Sequence, residues 1–209
     1  MMIPLFVDCS GRSIVIFGGG AVAARKAAYF AQEARVLVVS RSFVQKMETL
    51  PVERKCVDLK DATNATLAAL ISGAFLVIGA LSDPVQNNRI GRICRKRGIP
   101  FNNADGVAGD VILPAIGKGE HYTLAISTEG SSPAISRFIR EHLKRELPEL
   151  DTMIVLQTRL REELKHTEPD QIRRTKILHK VLDDPTVWKI LRTDPDSAWE
   201  NVSARYLHG

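Results

Sequence analysis

Three consecutive glycines, Gly18-Gly19-Gly20, separate a short apolar run from an alanine-rich stretch. The run Ser13-Ile14-Val15-Ile16-Phe17 has the composition of a strand buried on both faces. The stretch from Ala21 to Gln32 holds neither Gly nor Pro and reads as a helix. A strand that passes straight into a helix through glycines is the opening unit of a nucleotide-binding α/β sheet. Gly18-Gly19-Gly20-Ala21-Val22-Ala23 also fits the spacing G-x-G-x-x-[GA]. In such a turn Gly18 permits the tight bend and Gly20 lets backbone approach a pyrophosphate. Ala23 lets the helix lie close to the sheet. The N-terminal amides at Ala21 and Val22 and the helix dipole then face the phosphates. A glycine turn that serves packing alone is the plainer alternative.

The segments that follow keep the alternation. Arg35 to Ser40 is a second β-branched run, and Val52 to Val57 is a weaker third. Ala62 to Ile71 reads as a helix and Ala74 to Gly79 as a buried strand. Asp83-Pro84 opens a helix, with Asp as N-cap and Pro in the first turn, and Gly98 ends it. Ile99 to Asn102 enters the next strand. Strands spaced by helices imply a parallel sheet. Past residue 110 the pattern changes. Asp110 to Ile116 and Tyr122 to Ser127, joined through Gly117 and Gly119, read as an antiparallel hairpin. Ser132-Pro133 begins a helix to Leu147, with Ile135, Phe138, Ile139, Leu143 and Leu147 on one face. From Pro148 onward the chain reads helical, with breaks near Pro169, Pro185 and Pro195. The expected architecture is α/β. A Rossmann-like parallel-sheet domain over 1–113 precedes a small α+β segment over 114–147 and a helical domain over 148–209.

Composition removes several classes. The 209 residues are 44% hydrophobic and 25% charged, which supports a packed core without disulfide or metal staples. Cys9, Cys56 and Cys94 are scattered, without a zinc spacing, and are expected as reduced, mostly buried thiols of a cytoplasmic protein. Neither a signal peptide nor a membrane span is read in the chain. A net charge of +5 permits an acidic ligand and demands none. With 6% aromatic residues and one basic run, Arg95-Lys96-Arg97, a nucleic-acid surface is not expected. The acid that often follows the second strand is missing, for Ser40-Arg41-Ser42 stands there. An acid at that place binds the ribose of NAD, whereas Arg accommodates the phosphate of NADP. Local chemistry therefore leaves the cofactor open, and Arg41 is equally readable as a solvated residue.

Longer motifs are more specific. Gly18-Gly19-Gly20-Ala21-Val22-Ala23-Ala24-Arg25-Lys26 resembles the G-G-G-x-V-A-x-R-K signature of the siroheme synthase family. That family comprises precorrin-2 dehydrogenases, some of which are also sirohydrochlorin ferrochelatases. Pro4-Leu5-Phe6 resembles the family's opening. Asn102-Asn103-Ala104-Asp105 with Val111-Ile112-Leu113-Pro114-Ala115 resembles its N-x-x-D…F-x-x-P-A segment, with Val111 where Phe is usual. Ala125-Ile126-Ser127-Thr128-Glu129-Gly130-Ser131-Ser132-Pro133 resembles its A-[IV]-S-T-x-G-x-S-P segment. The likeness covers about residues 3–147, and a fused methyltransferase domain is not expected. It implies NAD as cofactor, a tetrapyrrole substrate oxidised from precorrin-2 to sirohydrochlorin, and a homodimer. Ferrous iron would be a further substrate in a bifunctional member, and the motifs do not separate the two kinds.

The resemblance makes Asp105 the catalytic candidate, as general base or orienting carboxylate, at the C-terminal edge of the sheet where such folds bind ligands. Loop capping is its alternative role. Asp110 is expected to initiate the next strand. Gly18, Gly20, Ala21, Val22, Ser40, Arg41, Ala80 and Leu81 are the cofactor candidates. Leu81 stands where the family usually has Thr, so one hydroxyl contact is lost. Asn87 is either a brace for that loop or a surface residue. Ser127, Thr128, Gly130, Ser131 and Ser132 form a small-residue loop at a helix N-terminus, suited to substrate carboxylates as well as to capping. Arg137 is a candidate carboxylate partner or a solvated cation. His121 lies in the hairpin turn with no partner at ligand spacing, and no stable metal site is expected. The competing class is a non-catalytic NAD-sensing module, which would need the glycine turn but neither Asp105 nor the Ser-Thr loop.

Overall fold

The computed structural model describes residues 2–105 and 109–207. The chain divides into two units, Met1–Leu113 and Pro114–Gly209. The first is built on five parallel strands: β1 (Ser13–Phe17), β2 (Arg35–Ser40), β3 (Glu53–Cys56), β4 (Leu76–Gly79) and β5 (Phe101–Asn103), ordered β3-β2-β1-β4-β5. Among the described residues, four helices belong to it: α1 (Ala21–Phe30), α2 (Gln45–Glu48), α3 (Asn64–Leu70) and α4 (Pro84–Lys96).

Alternation along β1 explains the layers. Ile14 and Ile16 join one cluster with Val36, Val38, Leu76, Ile78 and the α1 residues Ala23, Ala24, Ala27 and Phe30. Val15 and Phe17 join the opposite cluster with Val39, Val77, Leu67 of α3, and Ile90 and Cys94 of α4. Both faces of the sheet are covered, as expected for parallel strands made of continuous apolar runs. The short α2 has no counterpart in the sequence reading, because four residues are too few to show a helical period. The helix starts behave as read. Asp83 accepts from the backbone amides of Val85 and Gln86, and Pro84 fills the first turn.

The second unit begins with a two-stranded antiparallel sheet, β6 (Ala115–Lys118) and β7 (Thr123–Ile126), as the hairpin reading expected. One boundary moves. The run from Asp110 to Pro114 is not strand, so Asp110 does not initiate one. Val111 instead donates its amide to the Phe101 carbonyl, and its own carbonyl accepts from Asn102 Nδ2, which holds this run against β5. Next come α5 (Pro133–Glu146), α6 (Leu150–Thr167), α7 (Gln171–Leu182), α8 (Pro185–Leu191) and α9 (Pro195–Tyr206). Met153, Leu156, Leu160 and Leu164 of α6 recur at helical spacing and pack with Val181, Val187, Leu191, Ala198 and Val202. Pro185 and Pro195 sit in the first turns of their helices behind Asp184 and Asp194 caps. The hairpin is tied to α6 by Asp151, whose carboxylate accepts from the amides of Glu120 and His121.

One expectation about burial needs correction. Among the three thiols only Cys94 is buried, while Cys56 is exposed and Cys9 is intermediate. Burial pushes the Cys94 thiol up to about 12. The α5 stripe does not enter a core within the chain: Ile135, Phe138 and Ile139 are 49%, 62% and 37% exposed.

Candidate functional site

The C-terminal ends of the parallel strands enclose a cavity of about 610 Å³. The strand order places β1 between β2 and β4, so the chain leaves β1 toward one side of the sheet and later returns on the other. A crevice forms where the order reverses, which is where open α/β sheets bind ligands.

The glycine turn forms the floor of this cavity, and its three residues do different work. Gly18 has φ 127°, and a Cβ there would lie 2.4 Å from the Ala80 carbonyl oxygen. Gly19 leaves still less room, since a Cβ would lie 1.8 Å from the Ser42 carbonyl oxygen and 2.8 Å from Ser40 Oγ. Gly20 has nothing within 4 Å of its would-be Cβ. Gly18 and Gly19 therefore let three backbone segments meet, whereas Gly20 faces open space. The sequence reading gave no role to Gly19, because the crossing strand ends that crowd it are distant in sequence.

The donor set suits an anion. Gly20 is the N-cap of α1 and supplies no side-chain hydrogen bond to the helix. Ala24 is the first residue of the helix whose amide bonds back, to the Gly20 carbonyl. The amides of Ala21, Val22 and Ala23 precede the first intrahelical bond, and Ala21 and Val22 line the cavity. Ala23, Ala24 and Ala27 are fully buried, so α1 lies close against the sheet and its positive end stays over the turn. These features fit the pyrophosphate of a dinucleotide.

Across the turn, Ala80 and Leu81 form the second wall. Ala80 donates its amide to the Phe17 carbonyl. Leu81 is held by Asn87, which is fully buried. Asn87 Oδ1 accepts from the Leu81 amide at 3.2 Å, and Nδ2 donates to the Leu81 carbonyl at 3.0 Å. Of the two roles left open for Asn87, the bracing one is observed.

On the β2 side, Ser40 is buried at the strand end and Arg41 is exposed, and both line the cavity. Asp58, from the loop after β3, lines it too and stands 3.6 Å from Arg41. Asp105 is exposed at the end of β5 and completes the lining together with Ala104. Its amide donates to Asn103 Oδ1 at 3.2 Å. The Ala104 amide donates to the Gly79 carbonyl at 2.8 Å, which ties this turn to β4. Gly106, the next residue and the one with which Asp105 would cap the loop, lies outside the described residues.

Lys26 also went unassigned, although it closes the R-K end of the glycine motif. Its Nζ donates to Asn102 Oδ1 at 3.1 Å, joining α1 to β5. Burial pushes its ammonium down to about 8, helped by the neighbouring Arg25.

The Ser-Thr loop belongs to the second unit. Thr128 Oγ1 accepts from the Ser132 amide at 2.9 Å and donates to the Ser132 carbonyl at 3.0 Å. Ser127 Oγ accepts from the Glu129 amide, and Ser132 Oγ caps α5 at the Ile135 amide. Glu129 and Gly130 both have positive φ, 52° and 88°. The Thr128 hydroxyl proton is therefore committed within the loop. Ser127, Gly130, Ser131 and Arg137 are exposed. His121 lies in the hairpin turn, and among the described residues no three His, Cys, Asp or Glu side chains group as metal ligands. His208 lies outside the described residues. No helix among the described residues is long and apolar enough to cross a membrane.

Comparison with known proteins agrees with this geometry. The family described as "Putative NAD(P)-binding" matches residues 5–115. A precorrin-2 dehydrogenase from Methanosarcina barkeri is 40% identical over 207 residues, which is 97% of this chain and 92% of that protein. A siroheme synthase from Azotobacter vinelandii is 28% identical over 97% of this chain, which spans only 44% of that longer protein. The solved structure of SirC, precorrin-2 dehydrogenase, shares the fold with a TM-score of 0.66 at 22% identity, covering 97% of this chain and 100% of that one. With an NAD(P)-binding domain on the glycine turn and this likeness along nearly its whole length, the chain belongs to the siroheme synthase family of precorrin-2 dehydrogenases.

Proposed function

We propose that the protein oxidises precorrin-2 to sirohydrochlorin with NAD. The observation that carries this reading is Asp105. A carboxylate lines the cavity built on the glycine turn, in a chain 40% identical to a precorrin-2 dehydrogenase. The overall step removes two electrons and two hydrogens from the tetrapyrrole. One hydrogen would leave as hydride, for which bound NAD would supply the acceptor. The other leaves as a proton, and in this reading Asp105 accepts it. Being exposed, the Asp105 carboxylate can receive that proton and pass it to water. The Ala21 and Val22 amides hold the pyrophosphate, and Ala80 and Leu81 bound the cofactor opposite the glycine turn.

The tetrapyrrole bears acetate and propionate arms, so it needs partners for carboxylates. Ser127, Ser131 and Arg137 are exposed and suited to that work, and the Gly130 backbone leaves the loop open. Thr128 and Ser132 shape the loop, through the bonds they make to each other and to the start of α5. The exposed Ile135, Phe138 and Ile139 face supports a homodimer, because an apolar helix face of this kind is ordinarily covered.

Iron insertion extends the same proposal. The likeness to a siroheme synthase supports it, with ferrous iron as a transient substrate and Asp105 taking pyrrole protons.

The test is Asp105→Asn under anaerobic conditions. The variant is expected to bind NAD as the wild type does and to lose dehydrogenation by at least about a hundredfold. Full turnover by the variant would remove Asp105 from the reaction. Ferrous or cobalt ion added to the sirohydrochlorin product then tests insertion above the spontaneous rate.

A further inference from the structure

The missing acid at the end of β2 has a replacement nearby. In parallel register Ser40 pairs with Cys56, so the chain beyond β3 runs alongside the chain beyond β2. The pairing continues past the strand ends: the Val57 amide donates to the Ser40 carbonyl at 3.0 Å, and Cys56 Sγ donates to the Arg41 carbonyl at 3.3 Å. This brings Asp58 to the level of Ser42. Asp58 Oδ1 accepts from the Lys60 amide at 3.0 Å, which fixes the carboxylate. Asp58 Oδ2 lies 3.6 Å from Arg41 Nη1. Arg41, Asp58 and Lys60 all line the cavity. The cavity thus has a carboxylate beside the place where an acid usually meets the adenosine ribose, but it comes from the neighbouring strand.

We infer that Asp58 is the residue that sets dinucleotide specificity, accepting from the ribose hydroxyls of NAD and opposing the 2′-phosphate of NADP. The inference rests on reading this cavity as the dinucleotide site. Arg41 and Lys60 alone would make this corner a phosphate site. Asp58 offsets the Arg41 charge and sets a fixed negative charge where the phosphate would lie. Arg41 is 74% exposed and Asp58 36%, so both are reachable by a ligand. Exposure also means that the ion pair contributes little to folding, which frees Asp58 for this work.

Asp58→Asn isolates the charge, because the amide oxygen can still accept from the Lys60 backbone. Binding of NAD and of NADP is measured by calorimetric titration on wild type, Asp58→Asn and the double variant Asp58→Asn/Arg41→Ala, with thermal melts to confirm folding. The wild type is expected to favour NAD. Asp58→Asn should lower the ratio of the NADP Kd to the NAD Kd at least about tenfold, through weaker NAD and tighter NADP binding. In the double variant the gain in NADP affinity should disappear. An unchanged ratio in a folded Asp58→Asn that still binds NAD overturns the inference alone. A wild type that binds neither dinucleotide overturns it together with the reading of the cavity.

Discussion

Replacing Asn87 by alanine removes the brace behind the cofactor wall while leaving every cavity-lining side chain in place. Two hydrogen bonds are lost, one from the Leu81 amide to Asn87 Oδ1 and one from Asn87 Nδ2 to the Leu81 carbonyl. Asn87 is fully buried, so water cannot reach its own side of the gap. A buried group left without a partner costs about 1–3 kcal/mol. Leu81 is only half-buried and one of its two groups can recruit water, which limits that second loss to about 0.5–1.5 kcal/mol, so the sum is about 1.5–4.5 kcal/mol. For a unit of roughly a hundred residues that corresponds to a fall in Tm of about 10 °C or more. The loosened wall should also weaken NAD binding, since Leu81 lines the cavity. Urea unfolding read by far-ultraviolet circular dichroism gives the stability, and calorimetric titration gives the affinity. Asn87→Asp is a useful companion, because it keeps an acceptor for the amide but turns a negative oxygen toward the Leu81 carbonyl. A folded Asn87→Ala protein with wild-type midpoint and wild-type NAD affinity would refute the bracing argument.

Other outcomes follow from the same geometry. Gly20→Ala should melt like the wild type yet bind NAD at least about tenfold more weakly, because its methyl meets only cavity space; unchanged affinity would contradict the turn's role. Gly19→Ala should lose about 1–3 kcal/mol of stability in urea, since its methyl collides with the Ser42 carbonyl; a wild-type midpoint would show that the contact is relaxed at no cost. The Lys26 ammonium titrates near 8 when folded against 10.5 as its ordinary value. Between those pH values the unfolded chain keeps a proton that the folded chain has released, so this group makes stability rise with pH. After allowance for its partial exposure the gain is roughly 1–2 kcal/mol, and Lys26→Met should remove that rise relative to wild type. Parallel pH–stability curves would disprove it. Phe138→Glu should convert a dimer to monomer by light scattering, and a monomeric wild type would contradict the proposed α5 interface.

What the sequence revealed follows from how local the causes are. The turn between β1 and α1, the Asp83 and Ser132 caps and the glycine-linked hairpin were legible because each is set by neighbouring residues. The β6 start was misplaced because a distant partner decides it: Phe101 and Asn102 claim the backbone of Val111, and the strand begins only after Pro114. Lys26 and Asn102 are 76 residues apart, so only the fold shows that the motif's terminal lysine anchors β5. Asp58 was hidden for the same reason. Its place beside Arg41 depends on β2–β3 register, which the residues after the second strand do not encode. Among the site candidates, the glycine turn, Ser40, Arg41, Ala80, Leu81 and Asp105 converge on one cavity because parallel strands all deliver their C-terminal ends to the same edge.

The most direct test supplies precorrin-2 and NAD to the wild-type protein without oxygen and follows NADH and sirohydrochlorin absorbance together. One NADH should form per sirohydrochlorin, at a rate proportional to enzyme. Dinucleotide binding without any NADH formation would contradict it, and would favour a sensing module built on the same glycine turn.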